Sequence, residues 1–236
     1  MRKLIYVPVI HMSADLGSVA RQVDKKGIAG FGEEFWRKHR ETISKLWDVI
    51  FNYFIDLDVK GFKIYQDGMV ADGEVGEKIV EEGVKAGSKN YEIISDLLKR
   101  GALLVKTEDF PLVKKERDRI VRIANAGSTG KKLTAYLIYR LTRDRLLKKR
   151  DRYIAERINE TLRPWESGIL FIGAYHDVIP PLPDNILITE VKETNKVRNY
   201  QRLLLRAGKN KEEFEGLAEY LGAPEIFKKT EGVTMQ

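Results

Sequence analysis

Five short apolar runs, rich in β-branched residues, divide the chain. Each is roughly four to eight residues long, and most are nearly continuous in apolar character, which is typical of strands covered on both faces. The runs are Lys3–Ile10, Phe62–Gln66, Ala102–Lys106, Ile169–Tyr175 and Ile186–Val191. They predict a largely parallel or mixed sheet of about five strands.

Helical patterns occupy the stretches between these runs. Apolar residues recur at helical spacing from Phe35 to Phe54 and from Tyr91 to Leu98, and the remaining helices are predicted at 111–124, 131–162, 196–206 and from Asn210 onward. Strands that alternate with helices favour an α/β fold with helices on both faces of the sheet. We interpret residues 1–236 as a single α/β domain with a helical C-terminal extension, 194–236.

The composition excludes several classes of protein. The 236 residues are 43% hydrophobic and 33% charged, as in ordinary globular proteins, and they contain no apolar run of membrane-spanning length. The N-terminus has no signal-peptide pattern, so we expect a cytoplasmic protein. The absence of cysteine excludes disulfides, thiolate nucleophiles and cysteine-ligated metals, and together with the charged surface it is typical of thermophilic proteins.

Positive charge is concentrated in one region. Residues 110–163 contain sixteen basic and six acidic side chains, so this stretch carries about +10, whereas the whole chain carries +7. Such a face can bind nucleic acid, another anionic partner or an acidic substrate. The alternative is a solvated helical surface, which the lack of interleaved aromatic residues favours.

Histidines and carboxylates follow the predicted strands. In open α/β sheets ligands bind at the carboxyl ends of the strands, where the following loops converge. The residues found there are His11, Asp67, Glu108, Asp109, His176 and Asp177. Such a set suits a divalent metal, although a strand-end histidine can also be a purely structural hydrogen-bonding residue. The third histidine, His39, lies in a charged helical segment, where we expect it to be solvated.

The longest predicted helix carries charges on its apolar face. At 100° per residue Asp151 falls near the centre of this face and Arg150 at its edge, with Arg140 and Asp144 also inward. The apolar members are Leu133, Leu137, Leu147, Ile154, Ile158 and Leu162. A buried charge must be paired or serve a site. The charges therefore predict either internal ion pairs or a contribution of Arg150 and Asp151 to a site beside the sheet.

Three segments resemble motifs of the TraB/TIKI family, whose wider superfamily includes erythromycin-esterase-like and ChaN-like proteins. Residues 149–158, KRDRYIAERI, are similar to its E-R-N-R-x-M-A helix, and residues 168–176, GILFIGAYH, to its V-G-A-x-H strand end. Residues 5–13, IYVPVIHMS, resemble its first G-x-x-H motif, with Pro8 in place of the glycine. Asp151 stands where the family usually has asparagine, and Asp67 best matches its strand-end glutamate.

The resemblance implies an α/β fold in which two histidines, an acidic residue and an arginine gather at one site. It implies metal-dependent peptide or ester hydrolysis in some members and regulatory or binding roles in others. On this hypothesis His11 and His176 bind a divalent cation, and Asp67 is the third ligand or the general base. Arg150 would stabilise developing negative charge or bind a substrate carboxylate, and Asp151 would orient Arg150 or a histidine.

Two further expectations concern the surroundings of the site. The prolines at 180, 181 and 183 stiffen the loop after His176, either to wall a cleft or only to redirect the chain. The rival function is a non-enzymatic protein that uses the basic face, 110–163, to bind nucleic acid or another anionic partner. We expect a peptide or small-molecule substrate for the enzyme and no membrane association, and the sequence does not indicate an oligomeric state.

Overall fold

The computed structural model describes residues 1–10, 20–127, 129–204, 210–224 and 230–231. The strands are β1 Arg2–Val9, β2 Lys63–Gln66, β3 Leu103–Leu104, β4 Ser167–Gly173, β5 Ile186–Glu190 and β6 Thr230–Glu231. The helices are α1 Ala20–Phe31, α2 Glu33–Ile55, α3 Gly73–Lys85, α4 Lys89–Lys99, α5 Phe110–Ala124, α6 Thr129–Thr161, α7 Thr194–Leu204 and α8 Lys211–Gly222.

The predicted α/β fold is confirmed, with the strands of one sheet in the order β3-β2-β4-β1-β5-β6. The strands β1 to β5 are parallel, and β6 pairs antiparallel with β5. All five predicted strands form, although β3 is only two residues long. Because β3, β2 and β4 are adjacent and parallel, their carboxyl ends lie side by side along one edge of the sheet.

The sheet buries both of its faces, as its continuous apolar runs predict. Alternate residues of β1 and β4 point to opposite sides. Val7 and Phe171 belong to a core formed with α2, α4 and α7, whereas Tyr6 and Leu170 belong to a second core formed with the C-terminal part of α6. Helices on both faces are therefore confirmed, and α6 is the helix that covers the second face.

Only part of α6 is packed on the sheet. Its 33 residues extend about 50 Å, and the buried apolar positions described begin at Leu146. The expectation of a continuous inward face is wrong for its N-terminal half, because Leu137 is 48% exposed and Asp144 is also exposed. The side chains of Leu133 and Arg140 lie outside the described residues. The helix α6 also packs along α5, which precedes it in the chain.

Pro8 is accommodated without loss of sheet pairing to β5. The parallel pairing of β1 with β5 ends at Tyr6 opposite Glu190, while the pairing with β4 continues to Val9. The absence of an N–H at Pro8 therefore removes no hydrogen bond from the β1–β5 ladder.

Among the described helices, none combines the length and apolar character needed to cross a membrane.

Arg2 ties the end of α6 to the sheet. Its side chain is buried, and Nη1 donates to the carbonyl oxygens of Asn159 and Leu162 at 3.1 and 3.3 Å and to Oδ1 of Asn159 at 2.9 Å. The last turn of a helix leaves carbonyl groups without intrahelical partners, and its dipole attracts a cation. Arg2 therefore holds α6 in place over the second core.

We expect Arg2→Met to lower the free energy of unfolding by about 2–3 kcal/mol, because hydrogen bonds from a buried charged donor are lost. The measurement is urea denaturation followed by circular dichroism. Lys3→Met, at an exposed position of the same strand, is the matched control and should change stability by less than about 0.5 kcal/mol. Equal effects of the two variants would show that Arg2 does not anchor α6.

Candidate metal centre

Three side chains from neighbouring strand ends meet at the carboxyl edge of the sheet. Asp67 follows β2, Glu108 follows β3 by four residues, and His176 follows β4 by three. One carboxylate oxygen of Asp67, one of Glu108 and one ring nitrogen of His176 lie within 4.8 Å of one another. His11, the other histidine predicted here, lies outside the described residues.

A tight turn after β2 fixes the two carboxylates. Gly68 has a φ of 78°, a left-handed conformation that favours glycine, and its N–H donates to Oε1 of Glu108 at 3.3 Å. The N–H of Glu108 in turn donates to the carbonyl of Met69 at 2.9 Å. These bonds hold the loops after β2 and β3 together, so that Asp67 and Glu108 face the same space.

Arg150 from α6 binds both carboxylates and a third one. Its Nη2 donates to Oδ1 of Asp67 at 2.7 Å and also to Oε1 of Glu108, and its Nε donates to Oε2 of Glu108 at 3.1 Å. Its Nη1 donates to Glu116 on α5. Arg150 is 6% exposed and Glu108 is fully buried. The guanidinium therefore cross-links two strand ends and two helices inside the protein.

Asp151, the next residue of α6, orients His176. Oδ1 of Asp151 lies 2.5 Å from Nδ1 of His176, and its Oδ2 accepts the backbone N–H of Asp177 at 3.2 Å. With Nδ1 donating to Asp151, the other ring nitrogen, Nε2, faces Oδ2 of Asp67 at 3.6 Å. Asp67 is itself held there, because the N–H of Gly173 donates to the same Oδ2 at 3.2 Å.

These donors are chemically suited to a divalent cation. Two carboxylates and an imidazole are common ligands of zinc and related metals, and two ligands at about 2.1 Å from a metal lie about 3–3.6 Å apart. The separation of 3.6 Å between Nε2 of His176 and Oδ2 of Asp67 falls at the upper end of this range. The second carboxylate, Glu108, is shared with Arg150. The buried cluster of Asp67, Glu108 and His176 can therefore hold a metal.

Carboxylates outnumber cationic side chains in the described part of this cluster. Four carboxylates, those of Asp67, Glu108, Glu116 and Asp151, pair there with one guanidinium and one imidazole. Burial raises the pKa of Glu108 above its ordinary value, although Arg150 opposes the rise. Burial lowers the pKa of His176, but the carboxylates of Asp67 and Asp151 outweigh it, so the pKa of His176 is raised. Without a metal, Glu108 and His176 therefore hold their protons more tightly than the free side chains do.

The structure brings together Asp67, Arg150, Asp151 and His176, four of the five residues singled out in the sequence. Glu108 was recognised only as a strand-end carboxylate, because the sequence does not reveal that β3 lies beside β2. Nothing in the sequence marks Glu116, which belongs to a helix whose surface is otherwise largely exposed and charged. Glu116 contacts the site only because the side chain of Arg150 extends to it from α6.

The expectation that His39 is solvated is wrong. It is 7% exposed, its Nδ1 lies 3.0 Å from the hydroxyl of Tyr200, and its ring contacts that of Trp36 at 4.9 Å between centroids. Burial, with a smaller effect of Arg40, lowers the pKa of His39 to about 4. Although its immediate neighbours in the sequence are charged, the helix turns His39 toward α7.

No protein-family model, curated protein or solved structure matches this chain. The interpretation of the site therefore depends on its own geometry.

The two described histidines are expected to titrate on opposite sides of the ordinary pKa of 6.5, His176 above it and His39 near 4. The measurement is a pH series of imidazole NMR signals in the metal-free protein. Asp67→Asn should lower the pKa of His176, because it removes a carboxylate that faces Nε2, and leave that of His39 unchanged. A His176 midpoint below 6.5 would contradict the assigned electrostatics.

The same shifts predict opposite contributions to stability. For His176, with its raised folded-state pKa, the stabilising contribution is complete below pH 6.5 and is lost as the pH rises through the folded-state pKa. For His39, with its lowered pKa, the contribution is complete above pH 6.5 and is lost as the pH falls toward 4. Denaturation of the metal-free chain and of His176→Asn across this range separates the two contributions.

Proposed function

We propose that the protein is a metal-dependent hydrolase that acts on a peptide or ester bond. The observation that carries the proposal is the arrangement of Asp151, His176 and Asp67. Asp151 accepts the hydrogen bond from Nδ1 of His176, while Nε2 faces the carboxylate of Asp67. A metal-binding histidine usually donates its other ring N–H to a carboxylate in this way.

The ligand set that we propose is His176, Asp67 and Glu108. The crowding of carboxylates supports it, because Asp67 and Glu108 share one guanidinium and a divalent cation would offset their mutual repulsion. His11 stays a predicted further ligand. The identity of the metal is outside the proposal, because carboxylate and imidazole donors suit several divalent ions.

The bound cation would supply Lewis acidity and lower the pKa of water at the site. The side chains of the chain provide the rest. Asp151 holds the imidazole of His176 in the tautomer that leaves Nε2 free to bind. Asp67 presents an oxygen to the same space and, where the cation does not use it, can accept a proton from water. The burial of Glu108 and His176 limits the access of bulk solvent.

The contacts of Arg150 favour a positioning role. Hydrogen bonds from Nε, Nη1 and Nη2 go to the carboxylates of Glu108, Glu116 and Asp67. A guanidinium held in this way orients the two proposed ligands, Asp67 and Glu108, and limits their mutual repulsion. We therefore propose that Arg150 acts through these carboxylates, rather than by the direct stabilisation of substrate charge that the sequence suggested.

The test is the affinity of the purified, chelator-treated chain for Zn²⁺ and Mn²⁺, measured by calorimetry with metal analysis. We expect about one ion per chain. His176→Ala and Asp67→Asn should abolish tight binding because each removes a ligand. Asp151→Asn should weaken binding by about 10–100-fold, the usual effect of losing the carboxylate that orients a metal-binding histidine.

Asp184→Asn, an exposed carboxylate in the loop after His176, is the matched control and should bind metal as the unmodified chain does. Circular dichroism establishes that each variant is folded. Equal metal content in the unmodified chain and in His176→Ala would end the metal proposal. If metal binds at this site but no peptide or ester in a broad panel is cleaved faster than with His176→Ala, hydrolysis is wrong and the metal centre stands.

Nucleic acid binding is the second candidate, and the exposure of the basic helices favours it. In the described part of α5 and α6, exposed cations include Lys115, Arg117, Arg145 and Lys148. They lie on two helices, α5 and α6, that pack along each other. Phosphate contacts by such side chains give an affinity that falls steeply with salt.

For this candidate the measurement is fluorescence anisotropy of a 25-base-pair DNA at 50 and 200 mM salt. The basic face predicts a fall in affinity of about 100-fold or more between the two salt concentrations. Arg145→Glu with Lys148→Glu should abolish binding, whereas Lys78→Glu with Lys99→Glu, exposed cations on α3 and α4, should weaken it much less. Absence of binding at 50 mM salt, or equal losses in both pairs, would exclude the basic face as the binding site.

A further inference from the structure

A second space lies beside the proposed metal centre. This cavity of about 240 Å³ lies where the pairing of β1 with β5 ends, between the loop after His176 and the first turn of α7. It begins one residue beyond His176, because Asp177 lines it and donates its backbone N–H to Asp151. Ile179 and Pro180 supply an apolar wall, so the proline-rich loop does border a cleft.

Tyr6 lines this cavity from the sheet and is 1% exposed. It lies directly opposite Glu190 in the parallel pairing of β1 and β5, so both side chains are on the same face of the sheet. The charged groups that act on its phenol include Glu190, Arg198 and Asp177, which also line the cavity. No residue in the described ranges forms a hydrogen bond with its hydroxyl. Because the hydroxyl opens to the cavity and is not sealed in the core, a ligand in the cavity can supply its hydrogen-bond partner.

The cavity is rich in negatively charged acceptors. Asp177, Glu190 and Glu193 line it, against Arg198 as the one cation among its described lining residues. Two donors of Arg198 are used on the backbone, since Nε donates to the carbonyl of Ala174 at 2.7 Å and Nη2 to that of His176 at 3.1 Å. The Nζ of Lys196 pairs with Glu193 at 2.5 Å. Asp177, which is exposed, and Glu190 form no ion pair with a described residue.

The capping contact of Glu190 uses only one of its oxygens. Oε2 accepts from the backbone N–H and the hydroxyl of Thr194 at 2.8 and 2.7 Å, which fixes the side chain at the start of α7. Oε1 accepts no hydrogen bond from the described residues. Three residues that line the cavity, Tyr6, Asp177 and Glu190, therefore carry acceptor oxygens that no described residue uses. An ammonium group has three donors and no acceptor, which matches this set.

We infer that the cavity lined by Tyr6, Asp177 and Glu190 is a subsite for a primary ammonium group of the substrate. The inference rests on the proposed function, because the cavity adjoins His176 and would place the amine beside the bond that is cleaved. It narrows the substrate class to compounds with a free amine close to a peptide or ester bond, such as a peptide with an unblocked N-terminus. Ile179 and Pro180 would contact the adjoining apolar part.

The test uses two probes that differ in charge, L-leucinamide and N-acetyl-L-leucinamide, with the full chain in the presence of chelator and again with Zn²⁺. Binding is followed by calorimetry and by backbone NMR signals of Asp177 and Glu190. We expect leucinamide to bind at least tenfold more tightly than the acetylated probe. Tyr6→Phe and Glu190→Gln should each reduce this preference by about tenfold, the effect of losing a hydrogen bond to a charged group.

Tyr6→Phe also separates a ligand-binding role from a structural one. Because the hydroxyl has no partner in the described part of the chain, its removal should leave the urea midpoint unchanged or raise it, whereas a structural hydroxyl would lower it. Glu219→Gln, in the larger cavity of about 690 Å³ between α2 and α8, is the control and should keep the full preference.

Equal binding of the two probes, binding of neither, or a preference that survives both cavity variants would overturn the inference. The measurements with chelator test the amine subsite independently of the proposed metal-dependent hydrolysis. A preference for leucinamide without any metal-dependent cleavage leaves the amine subsite standing and contradicts the hydrolase. Cleavage of acetylated and free peptides at equal rates supports the hydrolase and contradicts the amine subsite.

Discussion

The buried guanidinium of Arg150 is the interaction on which the arrangement of the site depends. It holds carboxylates from the ends of β2 and β3 and from α5 around one point of α6. Removal of one partner from a buried ion pair commonly costs several kcal/mol, because the remaining charge is left without compensation. The loops after two strands, the helix α5 and the buried part of α6 are therefore joined through a single side chain.

The single positive charge of Arg150 is shared among several carboxylates, and this sharing determines what else the site can bind. Among the described residues, one guanidinium is shared by three carboxylates, and a fourth, Asp151, pairs with the imidazole of His176, so the cluster can attract further positive charge. Protons on Glu108 and His176 meet this need in part, as the raised pKa values indicate. A divalent cation between Asp67 and His176 would meet it more fully, and it would compete with those protons. Asp151 can hold the imidazole of His176 in place whether the ring binds a proton or a metal ion.

Much of the fold and part of the site could be predicted from the sequence. Continuous apolar runs indicate buried parallel strands, and the rule that ligands bind at strand ends singled out Asp67 and His176. The helical spacing indicated that Arg150 and Asp151 face the core. These signals are local, so each can be read from a short segment.

The remainder depends on long-range arrangement. Glu108 joins the cluster because β3 lies beside β2, and strand order is not a property of any segment. Glu116 contacts the site only because α5 packs along α6. Leu137 follows the helical period of the core yet is exposed, since α6 extends beyond the sheet. His39 is buried in spite of its charged neighbours because α7 and Trp36 cover it. In the sequence Tyr6 resembles any other core residue of a strand, because the sequence does not reveal the cavity beside it.

Metal binding between Asp67 and His176 is tested most directly by a crystal structure of the chain grown with Zn²⁺, with anomalous diffraction measured at the zinc absorption edge. If the cluster binds metal as proposed, one strong anomalous peak will lie at about 2.1 Å from both Nε2 of His176 and an oxygen of Asp67. The Nδ1 of His176 should still be bonded to Asp151. A Zn²⁺-loaded crystal with no peak at this cluster, or with Arg150 filling the space between Asp67 and His176, would contradict it.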